Sequence, residues 1–189
     1  MKIVGVYSFN DGGQVISARF GSELQEIKDV IAIVDSTRHQ NRSDNGKGAR
    51  TKIFYQSTAL IQAFKTAFSA RHWHSFKIPC VYSNEFSNRG SQSISSKPTV
   101  FRELDFVKNR VGVKAHFANY GSTVYDIAAE MTIFHNSDAI DVGVAIVPVK
   151  DFANDMSTGV SYFEQFVWDL EHRGVSNIDI PVLILGIAA

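Results

Sequence analysis

Four ionisable residues in one short stretch could carry chemistry if the chain folds there into a hairpin. Residues 101–117 read Phe-Arg-Glu-Leu-Asp-Phe-Val-Lys-Asn-Arg-Val-Gly-Val-Lys-Ala-His-Phe. Strands are expected over 101–106 and 110–117, with a tight turn at Lys108-Asn109. Side chains alternate along a strand, so Glu103 and Asp105 should share one face and Lys114 and His116 another. Across a hairpin those faces can meet. Carboxylates, a lysine and a histidine are the parts of a divalent-metal phosphodiesterase: carboxylates hold magnesium, the metal activates water, and a basic neighbour aligns or deprotonates it. The same residues are equally the parts of a cross-strand salt bridge.

Two other stretches invite a chemical reading. Residues 36–52 place Arg38, Arg42, Lys47, Arg50 and Lys52 against the single acid Asp44, with Gly46 and Gly48 loosening the backbone. Arg and Lys on such a loop can neutralise nucleic-acid phosphates, and a solvated surface loop has the same composition. Arg71-His72-Trp73-His74 carries two histidines at a spacing that would suit a metal on a strand. No Cys or carboxylate follows closely, which favours a packed Trp73 with polar neighbours.

The elements that must position these residues follow from periodicity. Met1 to Ser8 reads as a strand and lacks the apolar core and cleavage site of a signal peptide. Ser22-Glu-Leu-Gln25 has a capping-box pattern and opens a helix over 23–35. Ser57 caps a second helix reaching Phe68, with Leu60, Ile61, Phe64 and Phe68 on one face. Residues 83–98 are Ser-rich and read as a long loop. Beyond the hairpin come a helix over 123–134, a strand over 140–149, a helix over 159–170 and a final strand over 181–187. The expected fold class is α/β: a mixed central β-sheet flanked by helices.

Composition sets the outer limits. With 189 residues, 44% hydrophobic and 20% charged, the chain suits a single domain over 1–189. Cys80 is the only cysteine, so no internal disulfide is possible and a cytoplasmic location is expected. No apolar run approaches bilayer-spanning length, so no membrane partner is expected. Formal net charge is zero, so any attraction to nucleic acid must come from uneven charge distribution.

Several segments carry a family resemblance in one order: Asp105-Phe-Val-Lys-Asn-Arg-Val111, Phe117-Ala-Asn-Tyr120, Ile140-Asp-Val-Gly-Val144, Met156-Ser-Thr-Gly-Val-Ser-Tyr162 and Pro181-Val-Leu-Ile-Leu-Gly-Ile187. Together with Lys52-Ile-Phe-Tyr55 and the helix after it, they resemble the BstYI/BglII-type type II restriction endonucleases of the PD-(D/E)XK superfamily. The resemblance spans nearly the whole chain and is weakest in the Ser-rich loop near residue 90. It implies a restriction endonuclease-like fold, and a homodimer that embraces palindromic double-stranded DNA with a central GATC. It also implies one Mg2+ site per subunit, where Mn2+ could substitute. Asp105 matches the family's metal-binding Asp, and the backbone carbonyl of Ala115 a further ligand. Asn119, Ser157 and Thr158 fall in segments that lie near DNA in the family, where amides and hydroxyls can read base edges. Ala118 and Ser161 share those neighbourhoods without a base contact being carried over.

The departure from the family falls on the second strand. The family pattern there is Glu-Val-Gln, with Glu as the second metal carboxylate; this chain has Lys114-Ala115-His116. A protonated lysine has no lone pair for magnesium. Glu130, on the helix after the hairpin, is the candidate replacement, as in some related restriction enzymes. On that reading Asp105 and Glu130 bind Mg2+, Lys114 steadies the phosphate, and His116 aligns or deprotonates the water. The alternative is a catalytically inactive DNA-binding homologue, with Glu130 paired to a nearby Lys or Arg, Lys114 included. A metal-independent protein-binding module is a third reading, and it predicts no salt-sensitive DNA affinity.

Overall fold

The computed structural model describes residues 1–43, 52–80, 100–117, 126–156, 159–172 and 178–189. A six-stranded mixed sheet organises them, in the order β1-β8-β7-β6-β5-β4. Its strands are β1 (Lys2–Phe9), β4 (His74–Cys80), β5 (Val100–Lys108), β6 (Val111–Ala115), β7 (Val142–Pro148) and β8 (Val182–Ala188). β6, β7 and β8 run parallel, while β1 pairs with β8, β5 with β6, and β4 with β5 in antiparallel fashion. Every residue of β7 is buried, as expected of a central parallel strand covered on both faces.

Each face has its own core. On one, Ile27, Val30 and Ile31 of α2 (Gly21–Ile33) and Leu60, Phe64 and Phe68 of α3 (Ser57–Ser69) pack with Val113, Val144 and Leu185. On the other, Met131 and Phe134 pack with Phe166 and Leu170 against Leu104, Ala145 and Ile184. This second layer comprises a π-helical turn (Asp126–Met131), its continuation α4 (Thr132–Asn136), and α6 (Phe163–His172). A short α5 (Lys150–Asn154) follows β7. Among the described residues no helix is long and apolar enough to cross a membrane.

The mixed sheet and most elements match the sequence reading; the differences have physical causes. α1 (Gly12–Arg19) was hidden by Asp11-Gly12-Gly13, which reads as a turn. Asn10 and Asp11 are indeed left-handed, at φ 46° and 60°, but a helix follows at once. A Cβ on Gly12 would lie 2.2 Å from the Val182 backbone, so glycine is required for α1 to approach β8. The Ser22 capping box is not formed: α2 begins earlier, and the Ser22 hydroxyl donates to Glu23 instead. Ser57 is the first residue inside α3, after Gln56, and provides no side-chain cap. The basic stretch begins as a 3₁₀ turn (Ser36–His39) and continues into β2 (Gln40–Ser43), which pairs with β3 (Lys52–Tyr55). β4 went unread because His74–Cys80 lacks clean alternation. The Ser-rich loop lies outside the described residues.

Candidate active site

The β5–β6 hairpin is built where the sequence placed it, one residue later at the turn. Lys108 still pairs with Val111, and the turn residues are Asn109 and Arg110, both left-handed at φ 47° and 67°. That backbone matches the twist of a two-residue hairpin but is costly for an arginine. Ion pairs hold it: Arg110 Nη2 lies 2.7 Å from Asp138 Oδ1, and its Nε donates to Asp141 Oδ1 at 2.8 Å. From the α2 side, Glu23 accepts from Asn109 at 2.7 Å, and Glu26 accepts from Lys108 at 2.7 Å and from Trp73 at 2.8 Å. The closed end of the hairpin is therefore pinned from several elements. The open end carries the candidate site.

A bulge governs that end. On β4 and β5, His74 pairs with Val107 but Phe76 pairs with Leu104, so β5 holds one extra residue around Asp105 and Phe106. Strict alternation fails there: Leu104 joins one core, while Phe106 turns to the α3 side. Asp105 turns the same way, onto the wall of a polar cavity of about 340 Å³ that Glu103, His74 and Lys65 also line. Glu103 and Asp105 thus share a face as expected, but that face looks toward α3 and β4. Glu103 forms an ion pair with Lys77 at 3.1 Å, across the β4–β5 rung. The Lys77 ammonium holds the Glu103 carboxyl below its usual range. Asp105 lies 3.6 Å from the Lys65 ammonium.

Lys114 and Glu130 are brought together from the other face. Val111, Val113 and Ala115 point into the α2–α3 core, so alternation directs Lys114 toward the π-helical turn. There it forms an ion pair with Glu130; the side chains are 16% and 8% exposed. His116 follows the strand, buried at 3% exposure, with its backbone N–H donating to Ile146 at 2.8 Å. Burial, and then the neighbouring Lys114 charge, push the imidazole pKa from 6.5 to about 3. A base that weak serves to align water better than to deprotonate it. Pairing between β5 and β6 ends at Phe106↔Val113, one rung before Asp105 and Lys114. The His116 bond to β7 leaves the intervening Ala115 carbonyl aimed toward β5, at the point where the ladder opens.

The donor set can be judged from this geometry. Asp105, Glu130 and the Ala115 carbonyl offer the hard oxygens that magnesium prefers, so they fit by type. Each carboxylate meanwhile faces a lysine ammonium, and among the described residues no three His, Cys, Asp or Glu side chains form a group able to hold a metal ion. Trp73 is buried at 1% exposure, His72 sits in a left-handed turn and His74 opens β4, in keeping with the packed-Trp reading of that stretch.

Among the basic candidates, Arg38 is 81% exposed and lies 3.3 Å from Asp35. Arg42 belongs to β2 by its backbone, while its side chain lies outside the described residues, as do Lys47, Arg50, Asn119, Ser157 and Thr158. Lys65 escaped the sequence reading. Its only signal is its place directly after Phe64 in the buried stripe of α3, which puts it at the edge of the core face without naming the strand it meets.

Comparison with known proteins gives one consistent result. The family model "Restriction endonuclease BglII/BglIII" matches residues 4–187. A crystal structure of restriction endonuclease BglII complexed with a DNA 16-mer is similar with a TM-score of 0.71 and 20% identity, over 98% of this chain and 76% of that one. Free BglII is similar with a TM-score of 0.61 and 17% identity, over 100% and 80%. No curated protein sequence matches the chain.

Proposed function

The chain belongs to the restriction endonuclease BglII/BglIII family, and on that premise we propose that it binds palindromic double-stranded DNA with a central GATC and hydrolyses its phosphodiester bonds with Mg2+. The observation that carries this reading is Asp105 at the bulged, opening end of the β5–β6 hairpin, on the wall of a polar cavity. Asp105 and the Ala115 carbonyl would hold the metal, with Mn2+ able to substitute, and Glu130, which lies beside Lys114 on the opposite face of β6, would complete the set only by leaving that ammonium. The bound ion would polarise the phosphate and supply an acidified water. The water oxygen bonds to phosphorus, one P–O ester bond breaks, and the water's proton ends on the leaving alkoxide or in solvent. His116 positions the water, and Glu130, once free of Lys114, takes the place of the strand Glu that the family pattern carries. Arg38, Arg42, Lys47 and Arg50 contact phosphates, and Asn119, Ser157 and Thr158 read bases. A palindrome calls for two symmetric copies, hence a homodimer, and the single Cys80 suits a cytoplasmic one.

A second reading has its own support: both carboxylates face internal ammonium ions, which suits a catalytically inactive DNA-binding homologue. Incubation with mixed-sequence duplex DNA and Mg2+ or Mn2+ separates the two. Defined cut ends that vanish with Asp105→Ala are expected; binding without any cutting in either metal would leave the inactive homologue standing.

A further inference from the structure

We propose that Lys65 is a catalytic residue whose ammonium holds the scissile phosphate. The inference rests on the nuclease reading above and adds a residue that the hairpin itself does not contain.

A phosphoryl centre under attack spreads negative charge over its oxygens, and a preorganised cation beside it lowers the barrier. The residues of the second strand are poorly placed for this. Lys114 turns its ammonium onto Glu130 and is 16% exposed. His116 is buried at 3% exposure. Lys77, across the rung from Glu103, is tied to that carboxylate at 3.1 Å.

Lys65 combines exposure with place. Its side chain is 48% exposed, and it lines the same cavity as Asp105. Its Nζ stands 3.6 Å from Asp105 Oδ1, longer than the roughly 2.7–2.9 Å of a charge-assisted hydrogen bond, so this contact does not by itself use up its three donors. A phosphate processed at Asp105 comes within reach of an ammonium that already touches that carboxylate. The stalk is firm because the flanking Phe64 and Phe68 are fully buried. Lys65 takes part in no bond change; it contributes charge and position.

Duplexes recovered from a random-sequence library by binding to the wild-type protein provide the probe. Affinity is measured without divalent metal over a range of KCl, for wild type, Lys65→Gln, Lys65→Arg and Lys28→Gln, an exposed lysine of α2. Loss of one phosphate contact lowers the slope of log affinity against log salt by about 0.9, expected for Lys65→Gln only, with Lys65→Arg close to wild type. Cleavage by Lys65→Gln should fall by about 100-fold. A Lys65→Gln protein with unchanged salt slope and unchanged cutting overturns the role of Lys65 while leaving the nuclease reading intact. A wild type that binds duplex and never cuts it removes the nuclease reading and this catalytic role with it. No salt-dependent DNA affinity in the wild type rejects DNA binding altogether.

Discussion

Two lysine–carboxylate pairs approach the same hairpin from opposite faces of the sheet, and they differ in almost every physical respect. Lys114 and Glu130 meet inside the protein, under the π-helical turn. Lys65 and Asp105 meet loosely at 3.6 Å, on a cavity wall, with side chains 48% and 25% exposed. Burial raises the cost of separating charges, because neither partner regains its full hydration when the other is lost. An exposed pair is screened by water and can exchange its partner at little cost. The buried pair is thus suited to building the site, and the open pair to working it. A DNA phosphate or a metal ion can take over one of the partners at Asp105 far more easily than at Glu130.

The sharpest way to break this contrast is to remove one member of the buried pair. Glu130→Gln takes away the carboxylate that faces a buried ammonium and should cost about 3–5 kcal/mol in denaturant unfolding. Replacing both partners, as Lys114→Met with Glu130→Leu, should recover most of that loss, because two apolar side chains need no hydration. A loss under about 1 kcal/mol in the single variant would mean that water reaches the pair and that the two faces are alike.

Acid acts on the same buried side. His116 has a folded pKa of about 3, against an ordinary value of 6.5. The folded chain therefore refuses a proton that the unfolded chain accepts. Its contribution is fully present above pH 6.5 and drains away as pH falls from there toward 3, by about 1.4 kcal/mol per unit. His116→Gln should flatten this part of the stability curve, read by unfolding at stepped pH. An identical acid limb in the variant would assign the loss to carboxylates elsewhere.

The same contrast explains what could be read from residues alone. The hairpin, β7 and β8 were legible because their apolar patterns and turn residues are local properties of the chain. Asp105 stands out by residue type and place, and Lys114 is one of the partners the sequence offers to Glu130. The bulge was not legible, since nothing in Leu104-Asp105-Phe106 announces an extra residue; it arises from how β4 pairs across from it. Lys65 was missed for the same reason. It belongs to an amphipathic helix whose docking onto β5 is decided by core packing between segments far apart in sequence. α1 was lost because Gly12 has a packing duty against β8 that resembles a turn signal when seen without its neighbour.

The smallest expected change in stability is the one that most sharpens the comparison. Asp105→Asn, Lys65→Gln and the double variant should each unfold within about 0.5 kcal/mol of wild type, because loose, partly exposed ion pairs contribute little. Raising the salt concentration should not widen those differences, since screening only weakens a surface pair further. The same substitutions are expected to abolish DNA cleavage at Asp105 and to slow it about 100-fold at Lys65, because cleavage depends on the placing of charge at a reacting phosphate. Stability and activity thus part company at Asp105, whereas at Glu130 they fall together. Denaturant midpoints measured beside cleavage rates for these three variants and Glu130→Gln test this directly. If Asp105→Asn unfolds several kcal/mol early, the open pair is a structural element after all, and the division between a building face and a working face is wrong.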